Sequence, residues 1–223
     1  MSVAILVDNS QAATPNIADL RKALASFVKT LDGIGPIAII GVADRPTILR
    51  DYTTDQKQLH DGVQRVFAMP GSGATLLDAV VEVSQGLAKR DTDRAAMVIV
   101  TTENREYSTR HYKDVLDALA AGGAMMHALV LTGPGGTQLN DEARNRASVL
   151  DLGPKASGGT RVDVLTSQAF EGRLQELAAL LKSQHRVTYS RPQTLIPPSK
   201  IEVTATKPGQ VASGGPARGQ AIR

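Results

Sequence analysis

The chain has 223 residues, enough for one sizeable domain with a real core and at most a small second one. Its 42% hydrophobic and 21% charged residues describe an ordinary globular protein, but only 3% are aromatic and none is Trp, which excludes an aromatic stacking platform for bases or sugars. The absence of Cys excludes disulfides and thiolate chemistry, and the net charge of +3 comes from the tail: up to Ser190 there are 20 basic against 21 acidic residues, and from Arg191 onward five against one.

The first element is an apolar run over residues 3–7, which ends abruptly on Asp8, Asn9 and Ser10 and reads as a buried strand. Ile17, Leu20, Leu24, Phe27, Val28 and Leu31 then recur at helical spacing, with Thr14 as an N-cap and Pro15 at the first helical position. Strands follow at 37–42 and 47–52, joined by only "ADRP". So short a link allows an antiparallel hairpin and no crossover, and Pro46 suits the sheet edge. Leu59, Val63 and Val66 mark a second helix, and Leu76, Val80, Val83 and Leu87 a third. A strand at 97–101 precedes a fourth helix through Val115, Leu116 and Leu119, which Gly122-Gly123 ends. Strands at 125–131 and 161–165 come next, and a last helix carries the stripe Phe170, Leu174, Leu177 and Leu181, before His185. After Ser190, "RPQTLIPPSK" reads as a proline-rich connector, residues 200–207 as an extra strand that pairs with 186–190 or with another domain, and 208–223 as a flexible basic tail.

Strands alternating with helices imply an α/β fold: a doubly wound, mostly parallel central sheet with one antiparallel edge hairpin, helices on both faces, and a short C-terminal β-extension. The main domain spans 1–190, the connector and extra strand 191–207. In such sheets ligands sit outside the carboxyl ends of the strands. Three segments are expected there: "DNSQA" after the first strand, "GSGAT" before the third helix, and "TTENREYS" after the strand at 97–101.

With these segments quoted, the sequence resembles the von Willebrand factor type A domain family, in a bacterial branch. "VAILVDNS" is similar to its first strand and metal loop, "GSGATLLDAVVEV" to its G-x-T-x-L-x-D-A segment, and "AAMVIVTTENREYS" to the strand ending in T-D-G-x-D-x-S. "ASGGTRVDV" and "LLKSQHRVTYSRP" match a later turn and the ending. The resemblance implies a Rossmann-like fold, no enzymatic activity, and a metal-ion-dependent adhesion site built from Asp-x-Ser-x-Ser, a Thr and a further Asp. A hard dication such as Mg²⁺ or Mn²⁺ wants about six oxygens, with one or two carboxylates among them. The chain keeps Asp8, Ser10 and Thr75, but Ala12 stands where the second Ser is expected and Thr102 where the third-loop Asp is expected. Losing one carboxylate a few ångströms from the ion forfeits on the order of several kcal/mol even at an effective dielectric near 20. Glu103 is the available substitute. The site is therefore expected to be degenerate, and no cofactor is expected beyond a weak Mg²⁺ or Mn²⁺.

Each retained residue also has a structural reading. Asp8 can accept hydrogen bonds from backbone donors, Ser10 can close a turn, and Thr75 with Asp78 resembles a capping box for the third helix. As a partner surface, the same edge offers Asn9, Gln11, Ser72, Glu103, Arg105 and Tyr107, Arg and Tyr being favoured interface anchors.

Other chemistry finds little footing. "GSGAT" and "TGPGGT" lack the Lys of a phosphate-binding P-loop, there is no G-x-S-x-G elbow, and the four His show no metal-ligand spacing. His127 falls inside a predicted strand and reads as a core residue, while His185 suits a helix C-terminus. The scattered basic tail is no nucleic-acid surface, and no stretch is long enough to span a membrane. The expectation is a protein-interaction, adhesion or scaffold module whose metal dependence is weakened or lost. The alternative is a small α/β enzyme or nucleotide- or metabolite-binding protein using the same edge. The compartment is periplasmic or extracellular if an export signal lies upstream, and cytoplasmic otherwise. Neither the protein partner nor the oligomeric state can be read from the sequence.

Overall fold

The computed structural model describes residues 1–90, 92–103, 105–132, 140–185, 204–207 and 209. The expected connector, most of the extra strand, its pairing with 186–190, most of the tail and most of "TGPGGT" lie outside the described residues.

Six strands form one sheet in the order β3-β2-β1-β4-β5-β6: β1 (Ser2–Val7), β2 (Ile37–Val42), β3 (Pro46–Thr53), β4 (Ala95–Thr102), β5 (Ala124–Leu131) and β6 (Arg161–Val164). All neighbours are parallel except β2 and β3, the antiparallel hairpin at the edge that the short link requires. Beta1 and β4 lie at the centre and are buried along their whole length, which explains their unbroken apolar runs.

Helices cover both faces. Val3, Ile5 and Val7 of β1 point to a core shared with α1 (Ile17–Thr30), α2 (Gln56–Gln64) and α6 (Ala169–Lys182). Ala4 and Leu6 point to the opposite core, under α3 (Leu76–Ala88), α4 (Tyr112–Gly122) and α5 (Asp141–Ser157). The period-two alternation of side chains along each strand makes this division. Alpha4 stops at Gly123 in the left-handed conformation, as the Gly pair predicts.

Three details differ from the sequence reading. Thr14 and Pro15 lie within a 3₁₀ turn (Gln11–Asn16), the Thr14 hydroxyl donates to the Gln11 carbonyl, and α1 begins only at Ile17. Lys182, not His185, is the basic residue in the last turn of α6, and its amino group donates to the Thr30 and Asp32 carbonyls at the end of α1. The third difference is α5, which the sequence reading omits. Its buried residues are Arg146, Val149, Leu150, Gly153 and Pro154. Three of those five are a cation, a glycine and a proline, so the apolar stripe shrinks to Val149-Leu150 and the helical period is hidden.

Candidate functional site

Parallel strands deliver their following loops to one edge of the sheet, and hydrogen bonds join these loops together. The first loop (residues 8–16) meets the second (65–75) through Met69 N–H to Asn9 O at 2.8 Å, Gln11 N–H to Ser72 O at 3.3 Å, and Gly71 N–H to the Gln11 side-chain carbonyl at 2.6 Å. The second meets the third (103–111) through Ala74 N–H to Arg105 O at 2.9 Å and Tyr107 N–H to Ala74 O at 2.8 Å. Gly73 permits a closer contact still: a Cβ there would lie 2.3 Å from the Tyr107 ring, so only glycine lets the ring rest across the second loop.

Asp8 is buried beneath this edge. Its Oδ1 accepts from Ser10 N–H at 3.0 Å. Its Oδ2 accepts from Thr102 N–H at 3.0 Å, the Thr102 hydroxyl at 2.8 Å and the Thr101 hydroxyl at 3.1 Å. The Thr101 oxygen in turn accepts from Arg146 Nη2 at 2.7 Å, and the same nitrogen donates to the Thr102 carbonyl at 2.6 Å. Arg146 Nε lies 3.5 Å from Glu106 Oε2, with both side chains buried. The other Glu106 oxygen accepts from Ser108 N–H at 3.2 Å. Burial pushes the Glu106 carboxyl up, against the downward pull of Arg146 and Ser108. Burial likewise pushes Arg146 down, opposed first by Asp8 and then by Glu106 and Glu103. A guanidinium starts high enough to stay charged at neutral pH.

The relatives share this architecture. Residues 3–104 match the family model described as the von Willebrand factor type A domain. That match covers just under half of the chain, and over it the sequence is similar to this family. Among solved structures, the conserved hypothetical protein BatB from Bacteroides thetaiotaomicron superposes with a TM-score of 0.60 at 16% identity, covering 82% of this chain and 100% of that one. A von Willebrand factor type A protein from Catenulispora acidiphila gives 0.59 at 13% identity, over 81% of this chain and 42% of that one. The pilus adhesin SpaC from Lactobacillus rhamnosus GG gives 0.62 at 11% identity, over 81% and 30%. The chain thus spans all of BatB but less than half of the other two. At these identities the likeness is one of fold. No curated protein matches the chain.

In this domain the expected ligand residues Asp8, Ser10 and Thr75 do gather at one edge, all buried. Their polar atoms are engaged within the protein. The Thr75 hydroxyl donates to Ala43 O at 2.8 Å and makes no side-chain cap for α3, so the capping-box reading gives way. Its expected partner Asp78 instead binds Arg110 at 2.7 Å. Ala12 is exposed and offers no oxygen, and Glu103 is exposed beside the pocket. Among the described residues no group of three or more His, Asp or Glu is placed to hold a metal ion. A dication here would have to compete with four hydrogen bonds on one carboxylate and sit close to a guanidinium. This donor set does not fit it.

Of the residues expected to meet a partner, Gln11, Glu103, Arg105 and Tyr107 are exposed. Asn9 and Ser72 are not. Asn9 lies beneath, donating to Phe67 O and accepting from Ala43 N–H, while the Ser72 hydroxyl donates to Met69 O. Both hold the loops from below. The sequence reading missed two exposed apolar residues on the second loop, Phe67 at 60% and Met69 at 45%, close in exposure to Tyr107 at 47%. It also missed the buried pair Arg146 and Glu106. An exposed Phe in a loop leaves no periodic signal, but the need for a crossover between two parallel strands does point to a helix before 161.

Proposed function

We propose that this domain is a non-enzymatic protein-interaction module that binds its partner at the joined loops without a metal. The observation that carries the reading is a hydrogen-bonded set of loops on which Phe67, Met69 and Tyr107 are exposed, with Gln11, Glu103 and Arg105 exposed on the same loops. Aromatic and Met side chains amid a polar, charged rim are the composition of a protein-binding patch. Arg105 lies 6.0 Å from the Tyr107 ring centroid and Arg21 5.1 Å from that of Phe67, so a guanidinium sits over each ring. A pre-assembled edge loses little entropy on binding, which favours its use as a rigid docking face.

Support for metal independence comes from the Asp8 carboxylate, whose oxygens already accept four hydrogen bonds. The nucleotide-binding alternative loses support at the second loop, where the Gly71, Ser72, Ala74 and Thr75 N–H groups all donate to protein acceptors instead of facing a phosphate. Two concavities of about 420 and 560 Å³ open elsewhere, one near Met1 and Pro36 at the opposite edge and one between α1 and α2. Among the described residues no helix is long and apolar enough to cross a membrane.

The test is site-specific photo-cross-linking in the native host. A cross-linker at Gln11 or Tyr107 should give a discrete protein adduct that persists in EDTA, and one at Lys89, on the opposite edge, should not. Equal labelling at both edges, or an adduct lost in EDTA, would contradict the reading.

A further inference from the structure

Asp8 and Glu106 are two buried carboxylates contributed by different loops, and the buried cation Arg146 faces Glu106 directly and is linked to Asp8 through the Thr101 hydroxyl. We propose that Arg146 is the resident cation of this pocket, a fixed guanidinium supplying the positive charge that the family resemblance assigns to a bound dication. The inference rests on the reading that Asp8 carries no dication, and it names what replaces one.

Three observations converge. The first is placement. Arg146 heads the buried stripe of α5, two positions from the helix's N-terminal turn, and α5 packs its Val149 and Leu150 into the core below. The guanidinium is thus delivered to the carboxyl end of β4 by a rigid element and not by a loop. The second is connectivity. A single nitrogen, Nη2, binds the Thr101 oxygen and the Thr102 carbonyl, and the Thr101 hydroxyl passes the polarisation to Asp8 Oδ2. On its other side Nε faces Glu106 Oε2 at 3.5 Å, an ion-pair distance at which no hydrogen bond is completed. One cation therefore links the first loop, the end of β4 and the third loop, the same three parts that a bridging ion would join. The third is charge balance. A buried carboxylate persists only beside a counter-charge, and a dication added here would meet the guanidinium's like charge in a dry pocket.

The expected consequence is a swap of dependence. Without Arg146 the pocket keeps two carboxylates and loses its cation, so an added dication becomes the available counter-charge. Thermal unfolding of the wild type, Arg146→Met and Arg146→Lys, each in EDTA and in Mn²⁺, reads this directly. The wild-type midpoint should agree in both buffers. Arg146→Met should unfold roughly 6–20 °C lower in EDTA, as breaking a buried pair in a domain of this size implies. It should regain part of the loss in Mn²⁺, and the double variant Asp8→Asn/Arg146→Met should regain none. Arg146→Lys, with the charge but not the fork, should fold, lie between the two and ignore Mn²⁺.

Failure takes distinguishable forms. A wild-type midpoint raised by Mn²⁺ and not in Asp8→Asn overturns the metal-free reading of the site. A wild type indifferent to Mn²⁺, with an Arg146→Met variant equally indifferent, overturns the cation role and leaves Arg146 as packing. Should Arg146→Met fail to fold in either buffer, Arg146→Lys decides: a folded, Mn²⁺-insensitive protein supports the charge role, and a second unfolded one overturns it.

Discussion

Asp8 and His127 are both ionisable and both buried, one in the loop after β1 and the other within β5, yet their surroundings are opposite. Asp8 sits in a pocket with a guanidinium one hydroxyl away and four donors on its oxygens. His127, in the middle of β5, has only Thr160: the Thr160 N–H donates to Nδ1 at 3.2 Å, which puts the ring proton on Nε2, and that nitrogen has no partner. Burial pushes the His127 pKa down to about 4, so the ring stays neutral. One buried group has four donors and a nearby guanidinium built around it, while the other, with only Thr160, is left neutral. That contrast explains why one region can hold three loops together and the other is ordinary core.

The contrast can be broken most severely at Arg146. Arg146→Met should cost about 3–5 kcal/mol, because it leaves buried carboxylates unpaired, and urea unfolding would measure it. A loss below 1 kcal/mol would mean that the cluster contributes little.

His127 sharpens the comparison through pH. Its folded pKa is depressed, so the unfolded state takes up a proton first as the solution is acidified. The stabilisation is complete above the unfolded value of 6.5 and is lost as pH falls toward about 4, by about 3 kcal/mol in all. His127→Gln should flatten the stability profile between those pH values relative to wild type, while the profile around Arg146 stays as it was.

Smaller effects belong to the surface. Gly73→Ala should displace the Tyr107 ring, because the new Cβ would fall 2.3 Å from it. The ring is half exposed and can swing away, so stability should change by less than about 1 kcal/mol while cross-linking at the edge drops. Least of all, Lys155→Ala removes a 2.8 Å pair with Asp151 whose two side chains are at least half exposed, and the urea midpoint should stay at the wild-type value.

The sheet was legible because its signals are local. Unbroken apolar runs gave the central strands, a four-residue link gave the hairpin, and a Gly pair gave the end of α4. The convergence of Asp8, Ser10 and Thr75 was legible too, since parallel topology carries the loops after its strands to one edge. What the sequence hid were the partners chosen at a distance. Thr75 stands where a helix cap belongs, but its hydroxyl turns to Ala43 across 32 positions. Thr102 replaces a carboxylate in the resemblance, and its hydroxyl and N–H both serve Asp8 instead. Arg146 lies 138 positions from Asp8 in a helix whose buried stripe begins with that very cation, so the pattern that marks a helix and the residue that completes the pocket hid each other.

The most direct test of a pocket that carries its own cation is calorimetric titration of the wild-type protein with Mn²⁺, beside Asp8→Ala. No binding heat in either protein is the predicted result. A stoichiometric binding isotherm in the wild type that vanishes in Asp8→Ala would show that a dication takes the place assigned to Arg146.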